Sequence, residues 1–466
     1  MSIVASAPVS NPMGSGDESD PDRWWFSFLQ SAESLAQLAP AAFESIAAIA
    51  ITGATRTMVA LDRKGGVLFP ASTFRDARAA EHAAALSQRI PATYLERSAL
   101  NAFHPVARLI RMRAENPTTF ADIAHVVDPK DFINFKLTGV IASDAISSAR
   151  LAAAAEPVQD GASLIELVGL PACLVPPLLP PTSVVDGVRA DLPGVLARLV
   201  RKPVLTMAHD SWSAVLGLGA LRDGRAYNLS GTTEVFGIVS HRGADAEGLL
   251  RVDWGSGLFQ LGGPSLAGGD TLNWALNFVG RSHQPVAEAL DAVFATPRGP
   301  RGLLVLPHLS GERVPFWNPD LRGAVLGLAR AHGPSDLVRA SLEGVAFLNR
   351  LVLTRAEAAL GVQADEIRFG GGGAGSAAWA QIKADITGRQ VCVTASPEPG
   401  LTGCGLAALV ALGIAPDLDR AQERYVTVAR RFAPTAEGMA AAEPLYRIFE
   451  QAEAVLAPLS EALAHL

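Results

Sequence analysis

The chain has 466 residues, of which 49% are hydrophobic and 18% are charged, and its formal net charge is −7. This length predicts two or more domains, and the acidic balance argues against nucleic acid as a partner. The three cysteines form no CxxC pair and leave one unpaired, which excludes a disulfide framework and favours the reducing cytoplasm.

In the first half of the chain, apolar runs alternate with helical patterns. Residues 1–22 lack the basic and apolar regions of a signal peptide. Strands are predicted over 46–52, 58–62 and 204–207, and helices over 75–88, 103–113, 131–136 and 211–218. The Pro-rich run near 171–184 is predicted to be a surface loop.

A domain boundary is predicted near Asp223 and Gly224, which gives domains 1–224 and 225–466. Beyond it, strands are predicted over 226–230, 234–239, 367–369 and 391–394, and helices over 376–387 and 446–466. The apolar run 399–416 is too short for a membrane span of ~20 residues and predicts a buried helix. Strands that alternate with helices in both halves predict an α/β class with two domains.

Three segments hold candidate functional residues, and each has an ordinary structural explanation. Asp210 stands between a predicted strand and a predicted helix, where aspartate is a common N-cap. Gly231 stands between two strands, where glycine suits a tight turn. Residues 370–375 fit the G-x-G-x-x-G dinucleotide fingerprint between a strand and a helix. That fingerprint needs an acid about 20 residues further on, whereas the first acid after the strand 391–394 is Glu398.

The most informative stretch is 307–343. Within it Gly327, Asp336, Ala340 and Glu343 stand at the spacing of the signature of the FGGY family of carbohydrate kinases, which the stretch resembles. The resemblance continues from Ile3 to about residue 446. It implies two actin-like (ribonuclease H-like) domains with the active site in the cleft between them, the sugar bound mainly by the N-terminal domain and ATP by the C-terminal one.

The resemblance also assigns roles to single residues. Asp210 matches the catalytic base, which takes the proton of the sugar hydroxyl, and Ser211 stands where relatives often have Gln. For the nucleotide it implies Gly231, Thr232 and Thr233 at the phosphates, Gly372, Gly373 and Ser376 at the adenine, and Gly269 and Asn273 on the far side. A tight turn and a core Trp274 remain the alternative for the segment 268–274.

The sugar pocket is implied at two segments. Thr55 and Arg56 align with the loop that ends in Gln-Met-His in xylulokinase-like members. Arg56 either makes paired hydrogen bonds to a carboxylate or phosphate of the substrate, or it is an ordinary surface arginine. Asp76 and Arg78 resemble part of the family's Trp-Asn-Asp-x-Arg, and they either line the pocket or form a structural pair. A second family signature is reduced to residues 108–112.

Family members begin with a phosphate-binding hairpin reading Asp-x-Gly-Thr, whose Asp organises Mg²⁺, upstream of a segment like Ile3–Pro8. The chain as given starts after that hairpin, so we expect weakened phosphate contacts.

The leading hypothesis is therefore an ATP-dependent carbohydrate kinase, xylulokinase-like, with ATP and Mg²⁺ as cofactors and no metal ligand assigned. A catalytically impaired pseudokinase is the alternative, and an NAD-dependent oxidoreductase comes third. The expected partner is a small sugar or polyol, with a homodimer as a further expectation and no membrane association.

Overall fold

The structure is a computed structural model that describes residues 2–10, 16–91, 94, 97, 99–158 and 161–466. Parts of the segment 1–22 therefore lie outside the described residues. The chain divides into two compact units, of which unit 1 is Met1–Ser213 with Gly403–Ala421 and unit 2 is Ala214–Thr402 with Gln422–Leu466. The sequence places the boundary near residue 224, whereas these units divide within the helix that starts at Asp210.

The described helices are α1 (Pro21–Leu38), α2 (Pro40–Glu44), α3 (Ala80–Arg89), α4 (Pro105–Glu115), α5 (Pro117–Phe120), α6 (Pro129–Thr138), α7 (Ala149–Ala155), α8 (Leu164–Leu167), α9 (Asp210–Gly217), α10 (Gly269–Phe278), α11 (Val286–Ala295), α12 (Pro334–Leu360), α13 (Ala377–Thr387), α14 (Pro399–Ala411), α15 (Leu418–Tyr425) and α16 (Ala436–Ala464). Short 3-10 helices span Ala172–Leu174, Gly194–Leu199 and Gly372–Gly375. Among the described residues, none of these helices is long and apolar enough to cross a membrane.

The described strands are β1 (Glu18–Ser19), β2 (Ile49–Ala50), β3 (Val59–Leu61), β4 (Ala71–Ser72), β5 (His125–Val127), β6 (Ser143–Asp144), β7 (Leu178–Leu179), β8 (Val184–Gly187), β9 (Pro203–Leu205), β10 (Arg225–Ser230), β11 (Glu234–Ser240), β12 (Leu250–Asp253), β13 (Phe259–Ser265), β14 (Leu304–Leu306), β15 (Ala324–Leu326), β16 (Glu366–Gly370), β17 (Gln390–Thr394) and β18 (Val428–Phe432).

Unit 1 is built from short strands and the helices that cover them. Its largest sheet has the order β2-β9-β8, with β2 parallel to β9 and β8 antiparallel to β9. The pairs β1–β4 and β3–β5 are antiparallel, and β6–β7 is parallel. In one buried cluster, Trp24 of α1 and Phe132 of α6 pack with Leu61 of β3. The Pro-rich run 171–184 was predicted to be a surface loop, which is wrong for Leu174, because its side chain is fully buried in a second cluster.

Unit 2 contains a seven-stranded sheet of order β12-β13-β11-β10-β16-β17-β18. The central strands β10, β16 and β17 run parallel, and the flanking strands pair antiparallel. Helix α12 is buried along most of its length and contributes to two core clusters, one with α10, α13 and α16 and one with the sheet. It ends at Gly361, whose φ of +62° gives the left-handed C-cap that favours glycine.

Candidate active site

Two loops of unit 1 lie together at the carboxyl edge of its three-stranded sheet. Because β2 and β9 are parallel neighbours, the loops that follow them leave the sheet at the same edge. The Asp210 amide donates a hydrogen bond to the Gly53 carbonyl at 2.9 Å. The structure therefore places Asp210 beside the loop that carries Thr55 and Arg56.

The Asp210 carboxylate lies at the start of α9 and faces solvent. Its side chain is 52% exposed. One carboxylate oxygen accepts hydrogen bonds from the Ser211 amide at 2.7 Å and the Ser211 hydroxyl at 3.2 Å. Ser211 thus fixes the orientation of a carboxylate that a substrate hydroxyl can reach.

A partly buried histidine precedes this aspartate. His209 Nδ1 lies 4.0 Å from Asp210 Oδ1 and accepts a hydrogen bond from the Trp212 amide at 3.4 Å. Burial lowers the pKa of His209, and the Asp210 carboxylate opposes that shift. The imidazole is therefore neutral near pH 7, with Nδ1 as an acceptor. Sequence reasoning gave His209 no role of its own.

Arg56 is an exposed residue in the left-handed region, with a φ of +53°. For a residue other than glycine this conformation costs of order 1–3 kcal/mol and persists only where neighbours hold it. The buried Arg108 of α4 donates a hydrogen bond to the Arg56 carbonyl at 2.7 Å. The reduced second signature at 108–112 therefore still supplies a residue that supports the loop.

Asp76 and Arg78 form an ion pair. Asp76 has no exposed surface, and its carboxylate accepts from Arg78 Nε at 2.8 Å and from Ser72 Oγ at 2.5 Å. The Arg111 guanidinium donates a further bond at 3.1 Å. Burial alone would raise the pKa of Asp76, but the bonds to Arg78 and Ser72 outweigh it and lower that pKa. Of the two alternatives, this geometry favours the structural pair.

A buried charge cluster in unit 1 was not predicted. Lys130 Nζ lies 2.6 Å from Asp131 Oδ1 and 2.8 Å from Asp144 Oδ2, and all three side chains are buried. The backbone at Lys130 packs closely against the predicted sugar loop, because a Cβ on Gly53 would lie 3.1 Å from the Lys130 amide nitrogen. The adjacent letters Lys-Asp are visible in the sequence, but no local signal indicates their distant partner Asp144.

In unit 2, two predicted nucleotide loops leave the sheet at one edge. Strands β10 and β16 are parallel neighbours, with Leu229 opposite Gly370. The turn 231–233 follows β10, and the Gly-rich loop 370–375 follows β16. A Cβ on Gly371 would lie 2.4 Å from the Ser230 carbonyl oxygen. This close approach of two backbones requires glycine and brings the two loops into contact.

A third loop completes the group. The Gly269 amide donates to the Gly231 carbonyl and the Asp270 amide to the Thr232 carbonyl, each at 2.9 Å. Asn273 lies on the first turns of α10 and is exposed. The eight predicted nucleotide residues thus belong to three adjoining loops and to the helices α10 and α13 that follow two of them.

Thr233 and Ser376 are less exposed than Gly231 and Gly372 of the same loops. Thr233 is half-buried, and its carbonyl accepts from the Gly231 amide at 2.9 Å. Ser376 is the N-cap of α13, where its hydroxyl accepts from the Trp379 amide at 3.2 Å. Ser376 therefore has a capping role whether or not it also contacts adenine.

One cavity lies away from these loops. It has a volume of about 240 Å³ and is lined by residues of α12, α13 and α16, including Glu343 and Asp385. The Arg298 guanidinium at its wall makes two parallel hydrogen bonds to the Glu343 carboxylate, at 2.7 and 2.9 Å. It shares no residue with the predicted site, so we place the chemistry at the loops.

Comparison with known proteins defines the class. Residues 4–217 match the N-terminal domain of the FGGY family of carbohydrate kinases, and residues 226–412 match its C-terminal domain. The chain belongs to the FGGY family of carbohydrate kinases. It is therefore a sugar kinase of the two-domain actin-like fold, and members of this family use ATP as the phosphoryl donor.

The relatives include several sugar kinases. The chain is 27% identical to the xylulose kinase of Escherichia coli (strain K12), over 97% of this chain and 93% of the relative. It is 26% identical to the gluconokinase of Bacillus licheniformis, over 85% and 80% respectively. The crystal structure of xylulose kinase from Rhodospirillum rubrum matches with a TM-score of 0.83 and 26% identity, over 97% of this chain and 93% of that chain.

Proposed function

We propose that the protein transfers the γ-phosphate of ATP to a hydroxyl of a xylulose-like sugar. The observation that carries the proposal is the exposed Asp210 carboxylate, held beside the Arg56 loop by its bond to Gly53. The similarity to xylulose kinases over nearly the whole chain supports the substrate class.

In this proposal Asp210 is the general base. It accepts the proton of the sugar hydroxyl while the hydroxyl oxygen bonds to the γ-phosphorus and the bond from that phosphorus to the bridging oxygen of ADP breaks. Such a base contributes typically ~10²–10⁴-fold to the rate. Ser211 keeps the carboxylate oriented. Thr55 and Arg56 contact the sugar, and the Arg56 guanidinium can donate hydrogen bonds to its hydroxyls.

We assign the nucleotide to the three loops of unit 2. Gly231, Thr232 and Thr233 offer amides and hydroxyls to the phosphates, an arrangement that suits anions. Gly372 is exposed, and a Cβ there would meet no atom within 4 Å. Open backbone of this kind fits an adenine ring laid against the loop, with Gly373 and Ser376 beside it and Gly269 and Asn273 on the far side.

Mg²⁺ is proposed to arrive with the nucleotide. Within the described ranges, no group of three or more His, Cys, Asp or Glu is arranged to hold a metal ion. Mg²⁺ commonly binds through substrate phosphates and one or two carboxylates, so a dedicated protein cage is not required. A cytoplasmic location, a homodimer and the absence of a nucleic-acid partner stay predictions of the sequence.

The test is an assay of ADP release with Mg²⁺ and ATP over a panel of pentuloses, hexuloses, polyols and one aldonate. We expect turnover on a pentulose above the rate without sugar. Binding of MgADP without turnover on any sugar would favour the pseudokinase. Turnover of the aldonate alone would contradict the substrate class and support an anion-binding role of Arg56.

A further inference from the structure

A buried ion pair joins the elements that carry the two proposed nucleotide loops. Lys383 Nζ lies 3.0 Å from each carboxylate oxygen of Glu234, and both residues are almost fully buried. Glu234 directly follows the turn 231–233, and Lys383 lies on α13, the helix that follows the Gly-rich loop 370–375. Neither residue was predicted to be functional, because the two are distant in sequence.

Two asparagines complete the network. Asn349 of α12 accepts a hydrogen bond from Lys383 Nζ at 2.5 Å and donates one to Glu234 Oε2 at 3.0 Å. Asn228 of β10 donates to the same oxygen at 3.0 Å. The Glu234 carboxylate is thus fixed from three elements, and such a satisfied network specifies one arrangement of them.

Aromatic rings connect the ammonium group to the Gly-rich loop. Lys383 Nζ lies 5.0 Å from the ring centroid of Trp379 and 5.2 Å from that of Phe369. A Cβ on Gly373 would lie 2.9 Å from the Trp379 ring. Gly373 therefore packs on a ring that the Lys383 ammonium also contacts.

Stability alone does not require this pair. A buried ion pair loses much hydration, and a well-packed apolar pair often stabilises a fold as well or better. The charged network adds directional hydrogen bonds, which fix the position of the start of β11 relative to the middle of α13.

We propose that Lys383 and Glu234 are positioning residues of the nucleotide site, which hold the phosphate turn 231–233 at the correct distance from the Gly-rich loop 370–375. The inference rests on the proposed function, because it needs a nucleotide at these loops. It predicts that breaking the pair weakens nucleotide binding while sugar recognition by unit 1 is unchanged.

The experiment compares Lys383→Met, Glu234→Gln and the double variant with the parent protein, at a temperature well below every unfolding midpoint. We measure the Kd of MgADP by calorimetry and the KM values of ATP and sugar. Each single variant should raise the Kd of MgADP and the KM of ATP at least about tenfold and leave the KM of the sugar within about twofold. The double variant should recover the unfolding temperature, because no buried charge is left unpaired, yet keep the weakened nucleotide binding.

His308→Gln is the matched control, because it removes a different buried ion pair of unit 2, that with Glu453 at 2.6 Å. It should lower the unfolding temperature and leave nucleotide binding at the parental value. Equal nucleotide weakening in this control, or full recovery of binding in the double variant, would reduce the role of Lys383 to stability and overturn the inference. Failure of the parent to bind MgADP would overturn the proposed function as well, so the two failures are distinguishable. If a single variant does not fold, the double variant and the control decide the question.

Discussion

At the residue scale, one substitution distinguishes a catalytic role of Asp210 from a helix-capping role. Asp210→Asn keeps a side chain that can cap α9 but removes the proton acceptor. We expect kcat to fall at least ~10²-fold with little change in the unfolding temperature. Steady-state kinetics and thermal unfolding of the same preparation measure the two effects.

The control for this change is Asp417→Asn in the same unit. Asp417 is also exposed and precedes a helix, α15, where its Oδ1 accepts from the Arg420 amide at 2.7 Å. Its variant should keep the parental kcat. Near-normal turnover in Asp210→Asn, together with a large loss of stability, would establish the capping role instead.

His308 gives a pH-dependent stability. Burial alone lowers the pKa of His308, but the adjacent carboxylates of Glu312 and Glu453 outweigh it and raise that pKa to about 9. Because the pKa is above the ordinary value of 6.5, the stabilisation is fully present below about pH 6.5 and is lost as the pH rises through 9. The difference corresponds to about 3 kcal/mol in the free energy of unfolding.

The measurement is the stability difference between the parent and His308→Gln at pH 6 and near pH 9.5. The difference should be large at the lower pH and should shrink by about 3 kcal/mol at the higher one. His241→Gln, which changes an exposed histidine of the same unit, is the control for the substitution itself. A difference that stays constant across this range would show that His308 is not charged in the folded protein.

At the element scale, α4 supports the proposed sugar loops through one side chain. The buried Arg108 guanidinium donates to the carbonyls of Arg56 at 2.7 Å, Thr73 at 2.6 Å and Asp76 at 3.1 Å. The single ammonium of Lys cannot span these acceptors. With about two bonds lost at ~1 kcal/mol each, Arg108→Lys should raise the KM of the sugar at least about tenfold and leave the KM of ATP unchanged.

Arg113→Lys is the matched control on the same helix. Arg113 also donates to backbone carbonyls, those of Val168 at 2.9 Å and Gly169 at 3.0 Å, which are not part of the proposed site. Its variant should keep the parental KM of the sugar. If both variants raise that KM equally, the effect belongs to the stability of α4 and not to the sugar loop.

The Gly-rich loop offers two neighbouring glycines with different constraints. Gly371 has a φ of +84°, and its added Cβ would lie 2.4 Å from the Ser230 carbonyl oxygen. Gly371→Ala should therefore lower the unfolding temperature. At Gly372 an added methyl group meets no protein atom within 4 Å. Gly372→Ala should keep the unfolding temperature and raise the KM of ATP roughly tenfold, about 1.4 kcal/mol.

Gly333→Ala serves as the control for Gly372→Ala, because Gly333 is exposed, directly precedes α12, and an added Cβ there also meets no atom within 4 Å. It should leave the KM of ATP unchanged. An unaltered KM of ATP in Gly372→Ala would argue against an adenine ring at this loop.

Each helix and strand that local patterns predicted has a counterpart in the structure, but many described elements, among them α12 and β13, were not predicted. Gly139 was predicted to end its helix, and with a φ of +79° it caps α6. Helix α16 begins at Ala436, well before the predicted start at residue 446, although Pro444 lies inside it. Proline normally disfavours a helix interior, but Leu445 and Phe449 are buried in the core cluster of unit 2, and that packing overrides the local preference.

At the scale of the whole molecule, the sequence predicted two α/β domains but not the full course of the chain. Residues 403–421 belong to unit 1 although they follow most of unit 2, and no local pattern indicates such a return. The proposed site residues were identified by motif resemblance. Buried ion pairs beside these loops, such as Lys130 with Asp144 and Glu234 with Lys383, were missed because pairing across such distances is a property of the fold.

Whether the Gly-rich loop binds an adenine nucleotide or a dinucleotide is a question for the complete protein. In a dinucleotide fold the strand after the Gly-rich loop leads to an acid that holds the ribose, whereas here β17 ends at Thr394 and the next acid is Glu398. MgADP should therefore bind and NAD should not. At a concentration of 100 times its Kd, MgADP should stabilise the fold by about 2.7 kcal/mol.

Thermal unfolding and calorimetric titration of the full chain test this prediction, with NAD and NADP as the competing ligands and Mg²⁺ alone as the blank. A rise in unfolding temperature with MgADP, and none with NAD or NADP, agrees with nucleotide bound at the three loops of unit 2. Gly372→Ala should reduce that rise. Stabilisation by NAD with none by MgADP would contradict the assignment of the Gly-rich loop. Because a ligand stabilises a protein only through its preference for the folded state, this result does not depend on which sugar the protein accepts.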